Sequence, residues 1–208
     1  MQNMNETYED KQARFIERYN FEYEYYVKKK ILPIHLENAK DVLERGLRYF
    51  LGNDAKWQPE YDEVAEWLED NKCRGLLCAG DCGRGKTLLC QKIMPTIFKC
   101  YLDKELLVYD ANDINDAYKD DSKKSDLIDS RKFLMIDDFG LEGEAVIYGE
   151  HKIVFNDIID KAEKQGRLLI LTTNLMPDEI EMKYGRRTID RLKAITKPVI
   201  FKGDSLRG

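Results

Sequence analysis

One stretch of the sequence has the residue types and spacing of a phosphate-binding loop, G-x-x-x-x-G-K-[ST]. It consists of Gly80, Asp81, Cys82, Gly83, Arg84, Gly85, Lys86 and Thr87. Its glycines let the backbone turn tightly and direct several N–H groups at one anion, and the start of a following helix adds the positive end of its dipole. The predicted chemistry is the binding of a triphosphate, and we include Leu88, the next residue, among its contacts.

Two residues of this loop and two acidic residues farther along could share a metal ion and activate water. Lys86 is expected to reach the β- and γ-phosphates, and the Thr87 hydroxyl is expected to ligate Mg²⁺. Asp137 and Asp138 end the apolar run 133–136. Asp137 would hold the metal directly or through a water, and Asp138 could polarise the water that attacks the γ-phosphate. The alternative is a solvated strand end, and Asp138 is shorter by one methylene than the Glu that many nucleotide hydrolases use there.

A side-chain amide and three arginines complete the candidate site. Asn174 follows the apolar run 168–171 and could orient the attacking water, or else close the strand or cap the helix that Pro177 opens. The arginines are Arg186, Arg187 and Arg191. A cation aimed at the charge that develops on a γ-phosphate is catalytically potent, whether it acts within one chain or from a neighbouring subunit. The alternative is a helix with surface ion pairs, in which Asp190 is the partner.

The candidate residues need elements that bring them to one edge of a sheet. Short apolar runs predict five strands, at 75–79, 105–109, 132–138, 167–171 and 198–201. Helical patterns lie at 34–51, 61–69, 88–94, 110–119 and 152–163, with a short helix from Pro177 and a basic one over 185–192. This alternation predicts a parallel sheet with right-handed crossovers. We expect 120–125 to be a charged loop, and the turn 57–59 either to border the adenine or simply to pack.

Length and composition fit one α/β domain with a modest appendage, since the chain has 208 residues, of which 43% are hydrophobic and 35% charged. The net charge of −5 argues against a surface that binds nucleic acid along the whole chain. The apolar runs are too short to span a bilayer and the first residues are polar, so we expect a cytoplasmic protein without a membrane partner. The five cysteines contain no C-x-x-C pair, which argues against a zinc site.

The N-terminal segment 5–30 has a helical pattern of its own. Its apolar and aromatic positions recur three or four residues apart, at Phe15, Ile16, Tyr19, Tyr23, Tyr26 and Val27. Such a face must be covered, either by the rest of the chain or by a partner protein. We therefore divide the chain into a helical arm, 1–54, and a nucleotide-binding domain, 55–208.

The order of these motifs resembles the DnaC/IstB-like group of AAA+ ATPases, which are bacterial replicative-helicase loaders and transposition helpers. The resemblance covers roughly Trp57 to Arg207 and rests on the phosphate loop and four later segments. Those segments are I-D-D-F-G at 136–140, L-T-T-N at 171–174, G-R-R-x-x-D-R-L at 185–192 and G-D-S-L-R at 203–207. The phosphate loop alone is shared by many families, whereas its combination with the basic helix is specific.

The resemblance implies an α/β P-loop NTPase of the AAA+ type, with a five-stranded parallel sheet flanked by helices, a short helical N-terminal arm and no C-terminal lid domain. By position, Asn174 matches the sensor-one polar residue, and Arg191 matches the arginine finger that a neighbouring subunit delivers in trans. Arg207 matches a sensor-two arginine that acts in cis on the nucleotide. The implied cofactors are ATP and Mg²⁺, and the implied activity is a slow ATP hydrolysis that assembly stimulates.

The function that the resemblance implies is ATP-dependent helicase loading in DNA replication. Its partners would be a replicative helicase, further copies of the chain in an ATP-dependent oligomer and, more weakly, single-stranded DNA. A transposition helper of the IstB type shares nearly every motif and differs in its partner, a transposase. Two further alternatives are an adaptor that binds ATP with little turnover and a small-molecule phosphotransferase, although the sequence shows no obvious lid for the latter.

Overall fold

A computed structural model describes Arg14 and most of the chain from Ile31 to Leu206. The described ranges are 31–120, 122–143, 145–147, 150–152, 154–203 and 205–206. The predicted aromatic face of segment 5–30 and the predicted sensor-two residue Arg207 lie outside these ranges.

Five parallel strands form the central sheet, which confirms the predicted fold class. They are β1 (Gly75–Gly80), β2 (Leu107–Asp110), β3 (Phe133–Asp137), β6 (Leu168–Thr173) and β7 (Thr196–Phe201), and a short antiparallel pair, β4 (Ala145–Ile147) and β5 (Glu150–Lys152), lies between β3 and β6 in the chain. The order across the sheet is β2-β3-β6-β1-β7. Because β6 pairs with both β1 and β3, the carboxyl ends of these three strands lie side by side.

Helices cover the sheet, and their apolar faces supply the rest of the core. They are α1 (Ala39–Leu51), α2 (Pro59–Glu69), α3 (Lys86–Leu88, continued by the π-helical Leu89–Ile93 and by Met94–Tyr101), α4 (Ala111–Asp120), α5 (Ser122–Ser130), α6 (Val154–Gln165), α7 (Pro177–Tyr184) and α8 (Arg186–Ile195). All six residues of β6 are buried, as expected of a parallel strand with both faces covered. Among the residues that the structure describes, no helix is both long enough and apolar enough to cross a membrane.

The structure corrects two sequence predictions of local structure. The helix predicted over 34–51 begins only at Ala39. The segment 120–125, predicted as a charged loop, falls largely within helices, because α4 extends to Asp120 and α5 begins at Ser122. Lysine is a good helix former, so the charged residues that suggested a loop are compatible with the exposed side of a helix. Ile128, which is fully buried, anchors α5 to the core. Tertiary burial of one apolar residue thus outweighs the polar composition of this segment.

The segment 31–54 packs with the nucleotide-binding domain. Leu43 and Leu47 of α1 are buried in the common core. A Cβ atom on Gly46 would lie 2.8 Å from Cγ2 of Ile93, so α1 approaches α3 closely at this position. The chain divides into compact units after Lys30. We keep the two-part organisation as a proposal and place the division at that residue, because the apolar face of α1 is covered by the domain itself.

Candidate nucleotide-binding site

The phosphate loop leaves β1 in a backbone conformation that requires glycine. Gly80 has φ +127°, and a Cβ atom there would lie 2.1 Å from the carbonyl oxygen of Phe201 in β7. Gly83 has φ +78°, and its carbonyl accepts a hydrogen bond of 2.9 Å from the Leu206 amide. The loop is therefore packed tightly between β1 and the segment that follows β7. This close packing preorganises its backbone for an anion.

Lys86 is buried in the loop that carries it. Its side-chain Nζ donates to the carbonyl oxygens of Gly80 and Asp81, at 2.8 and 2.7 Å, and to Oδ1 of Asn174 at 2.8 Å. Burial lowers the pKa of the Lys86 ammonium below its usual value. The structure thus brings together two predicted site residues, Lys86 and Asn174. The Lys86 ammonium is thus held by three neutral acceptors. The negative charge of a bound phosphate would compensate its positive charge better than they do.

Asp137 lies at the tip of β3 and is almost completely buried. Its Oδ1 accepts hydrogen bonds from the hydroxyls of Thr172 and Thr87, the latter at 3.4 Å, and its Oδ2 accepts one of 2.8 Å from the Gln91 amide. Thr87 and Asp137 are oxygen donors of the kind that Mg²⁺ takes, and they lie next to each other. These residues therefore fit a Mg²⁺ ion held by Thr87 together with Asp137, directly or through a water.

Sequence reasoning missed Thr172 and Gln91. Gln91 follows Thr87 by four residues on α3, a spacing that places both side chains on one helical face. That spacing was a usable signal for Gln91. Thr172 could be found only by knowing that β6 lies beside β3, which the sequence does not state.

Asp138 begins the turn after β3 and has φ +53°, a left-handed conformation that Asp adopts more readily than most residues. Its N–H donates to Oγ1 of Thr172 at 2.9 Å. Asp138, Asn174 and Lys86 all line one cleft, so the predicted acid, amide and lysine face the same space. A water held between Asp138 and Asn174 would be adjacent to a phosphate bound at Lys86.

The cleft has a volume of about 960 Å³, which suits a nucleotide. The phosphate loop forms its floor, and Leu51, Lys56, Tyr61 and Leu206 are among the residues that form its walls. Trp57 does not line this cleft. Its indole N–H donates to Asp62 at 3.2 Å, and the Lys40 ammonium lies 5.1 Å from its ring centre. Of the two interpretations offered for the turn 57–59, packing is the one that the structure supports at Trp57.

Arg84 occupies a variable position of the loop, and its side chain is directed into an ion pair. Its Nη2 donates to Oε1 of Glu60 and to Oε1 of Gln58, both at 3.0 Å. The side chains of Arg84 and Glu60 are only 9% and 7% exposed. Glu60 also accepts a hydrogen bond of 2.9 Å from the Lys202 amide. One carboxylate at the start of α2 therefore fastens both the phosphate loop and the end of β7.

The three predicted arginines of α8 do not line this chain's nucleotide cleft. Arg191, 17% exposed, pairs with two carboxylates of α6: its Nε lies 2.8 Å from Oε2 of Glu163, and its Nη1 contacts Asp160. The Arg187 side chain is 78% exposed and lies 3.7 Å from Asp160. Arg191 thus has partners on α6 rather than the predicted partner Asp190.

No family model matches the chain, and no curated protein matches it. Solved structures do share its fold. The crystal structure of DnaI aligns with a TM-score of 0.54 and 20% identity, over 82% of this chain and 86% of that one. AMPPCP-bound DnaA from Aquifex aeolicus aligns with a TM-score of 0.53 and 17% identity, over 73% and 50%. A DNA replication initiation factor aligns with a TM-score of 0.51 and 23% identity, over 67% and 44%.

The chain has the AAA+ fold. The resemblance noted in the sequence is confirmed as a resemblance of fold, because the structures of DnaI and DnaA align over most of the chain. This chain spans half the length of the aligned DnaA chain. At these identities the alignments show the fold alone.

We expect the buried pair of Arg84 and Glu60 to contribute strongly to stability. Arg84→Met should lower the free energy of unfolding by about 3 kcal/mol, because it leaves the Glu60 carboxylate buried without its cation. Adding Glu60→Gln should recover part of this loss, since no buried charge then remains unpaired. The measurement is urea denaturation followed by circular dichroism.

A matched control is Lys197→Met, which removes a 3.3 Å ion pair between Lys197 and Glu66 of the same helix α2. Glu66 is 71% exposed, so this change should cost less than about 1 kcal/mol. Equal losses for Arg84→Met and Lys197→Met would contradict the importance assigned to the buried pair.

Proposed function

We propose that the chain binds ATP with Mg²⁺ and hydrolyses it. The observation that carries this proposal is the convergence of Lys86, Asp138 and Asn174 on one cleft, with Thr87 and the buried Asp137 adjacent to each other at the same strand ends. These groups come from the carboxyl ends of β3 and β6 and from the start of α3, which the phosphate loop joins to β1, and the carboxyl ends of these three strands lie side by side at one edge of the sheet. Ligands of open α/β sheets bind at this edge.

Binding begins with an exchange of partners at Lys86. Its ammonium leaves the carbonyl oxygens of Gly80 and Asp81 and the amide oxygen of Asn174 for the oxygens of the β- and γ-phosphates. The loop amides and the start of α3 complete the anion site. Mg²⁺, held by Thr87 with Asp137, would supply positive charge that neutralises the phosphates.

Hydrolysis uses the groups that face the γ-phosphate. Once Lys86 has moved to the phosphates, the Asn174 amide is released and orients a water molecule. Asp138 accepts a proton from this water as its oxygen attacks the γ-phosphorus, and the bond to the bridging oxygen of ADP breaks. Positioning and general-base assistance are the contributions that the residues of this cleft can make to such a reaction.

The cellular role that we propose is helicase loading in DNA replication. Two observations support it: the order of motifs resembles the helicase-loader group, and the solved structures that share the fold include DnaI and DnaA. The proposed partners are a replicative helicase and further copies of the chain, with single-stranded DNA as a weaker ligand, and the proposed location is the cytoplasm. A transposition helper and an adaptor with little turnover are the alternatives that the experiments below separate.

Substitutions of Lys86 and Asp138 should separate binding from hydrolysis. Lys86→Ala should abolish ATP binding, because the ammonium is the main cationic group of the loop that faces the cleft. Asp138→Asn should keep the dissociation constant for ATP while lowering turnover by about 10²-fold or more, as expected for loss of a general base. Isothermal titration calorimetry and phosphate release provide the two readouts. Turnover unchanged in Asp138→Asn would remove Asp138 from the mechanism.

Arg191 should act on the nucleotide of a neighbouring subunit. Arg191→Ala should bind ATP normally but lose the hydrolysis that assembly stimulates, by about 10³-fold at most. Arg187→Ala serves as the control on the same helix. A mixture of Arg191→Ala and Lys86→Ala subunits should regain activity, because the second variant can supply its Arg191 to the intact cleft of the first. A mixture as inactive as its components would contradict action in trans.

The partner should be recovered only with the triphosphate. Affinity capture from host lysate with tagged protein, with ATP or with ADP, should recover a hexameric helicase in the ATP sample alone, and Lys86→Ala should recover none. Mass spectrometry identifies the captured protein. Recovery of a transposase would favour the transposition helper, and ATP-dependent capture without any phosphate release would favour the adaptor.

A further inference from the structure

A buried carboxylate outside the nucleotide cleft has no role in the chemistry described so far. Glu142 follows β3 by five residues and is 3% exposed. It does not line the cleft. A buried carboxylate is costly unless it is hydrogen-bonded or paired with a cation, so its partners show what it holds in place.

The partners of Glu142 join the turn after β3 to the last turn of α7. Its Oε2 accepts a hydrogen bond of 2.8 Å from the Gly140 amide, and its Oε1 accepts one from the Tyr184 hydroxyl. The Lys183 ammonium lies 3.5 Å from Oε1 of Glu142 and donates to the Gly140 carbonyl at 2.6 Å. Burial, and then the bond to Glu142, raise the pKa of Tyr184, so its hydroxyl remains protonated and donates.

The same turn carries Asp138. Its second residue, Phe139, stacks on the ring of Tyr184, with ring centres 4.5 Å apart and an angle of 12° between the planes. The backbone N–H of Phe139 donates a hydrogen bond of 2.8 Å to the carbonyl oxygen of Thr172 in β6. The turn is therefore held between β6 and α7. A small displacement of either element would move the carboxylate that faces the γ-phosphate.

Helix α7 leads directly into the arginine helix. Tyr184 ends α7, Gly185 intervenes and Arg186 begins α8. The contact made by Glu142 and Tyr184 thus lies between Asp138 and the helix that carries Arg191. Together with the stacking of Phe139 on Tyr184, it joins the turn of Asp138 to the residue that precedes α8 by two.

We infer that Glu142 and Tyr184 are positioning residues, which hold Asp138 in place for hydrolysis and transmit the state of the nucleotide cleft to α8. This inference rests on the proposed ATP binding. When nucleotide binds, Lys86 and Asn174, which line the cleft with Asp138, exchange their partners, and the turn passes the change to α7 through the buried hydrogen bonds. The position in which Arg191 meets a neighbouring subunit then depends on whether a nucleotide occupies the cleft of its own chain.

The test is hydrogen exchange with and without the ATP analogue AMPPCP and magnesium, in the wild type and in Tyr184→Phe. The variant loses the hydroxyl and keeps the stacked ring. In the wild type, the analogue should slow exchange in the phosphate loop, in 138–142 and in α8. In Tyr184→Phe, slowing should remain in the phosphate loop and fall at least about twofold in α8. Turnover should fall about tenfold while KM for ATP changes less than about twofold, because a misplaced Asp138 affects the transition state more than binding.

The matched control is Tyr118→Phe. Tyr118 donates a hydrogen bond of 2.5 Å to Asp129, so the change removes the same kind of bond elsewhere in the molecule. This variant should behave as the wild type in exchange and turnover. Glu142→Gln provides a second variant, with the same expected pattern, if Tyr184→Phe does not fold.

The outcomes separate the two proposals. Equal slowing of exchange in α8 of the wild type and of Tyr184→Phe would overturn the coupling and leave ATP binding intact. No slowing in the phosphate loop of the wild type would overturn the proposed ATP binding, and the coupling with it. A response of α8 that is lost equally in Tyr118→Phe would show a general loss of stability and would overturn the specific role of Tyr184.

Discussion

The site depends on hydrogen bonds by which the tip of β6 holds two buried groups of opposite charge. Asn174 accepts from the Lys86 ammonium, and Thr172 donates to the Asp137 carboxylate. Neither charge is paired with the other, although burying an ion without a counter-ion costs several kcal/mol. Neutral dipoles make up for part of that cost. A ligand that brings phosphates to the lysine and a cation to the carboxylate compensates both charges at once, and the dipoles are already oriented.

Full ion pairs brace the backbone around this space. Arg84 lines the cleft, but its guanidinium is paired with Glu60 at the start of α2, so it fixes the phosphate loop. Glu142 and Lys183 make a similar connection behind the turn of Asp138. Paired charges thus fix the backbone, whereas exchangeable neutral partners hold Lys86 and Asp137. Lys86 and Asp137 can therefore exchange their neutral partners for a nucleotide and its metal while the loops that carry them stay fixed.

The parts of this site that sequence could predict are those encoded by neighbouring residues. The phosphate loop is a local backbone pattern, and Asp137 follows its own apolar strand, so both could be placed without knowledge of the fold. Thr172 and Glu60 could not, because their partners lie 35 and 24 residues away and meet only through the strand order and the packing of α2. Arg84 shows the same difficulty, since a cation in a phosphate loop suggests a phosphate contact until its buried partner is known. The segment 120–125 is predicted as a loop because its composition is polar, whereas burial of Ile128 farther along the same helix favours α5.

The cations proposed to meet phosphate are each held by this chain's own acceptors, but by acceptors of different strength. Lys86 is held by two carbonyls and an amide, which a phosphate displaces readily because a charged acceptor forms a stronger hydrogen bond than a neutral one. Arg191 is held by Asp160 and Glu163, whose carboxylates compete with phosphate on nearly equal terms. In the proposed mechanism, release of Arg191 would therefore require a neighbouring subunit that places a bound phosphate close to α8, in addition to the nucleotide itself. ATP would bind first and be hydrolysed only after assembly, because Arg191 is harder to release than Lys86.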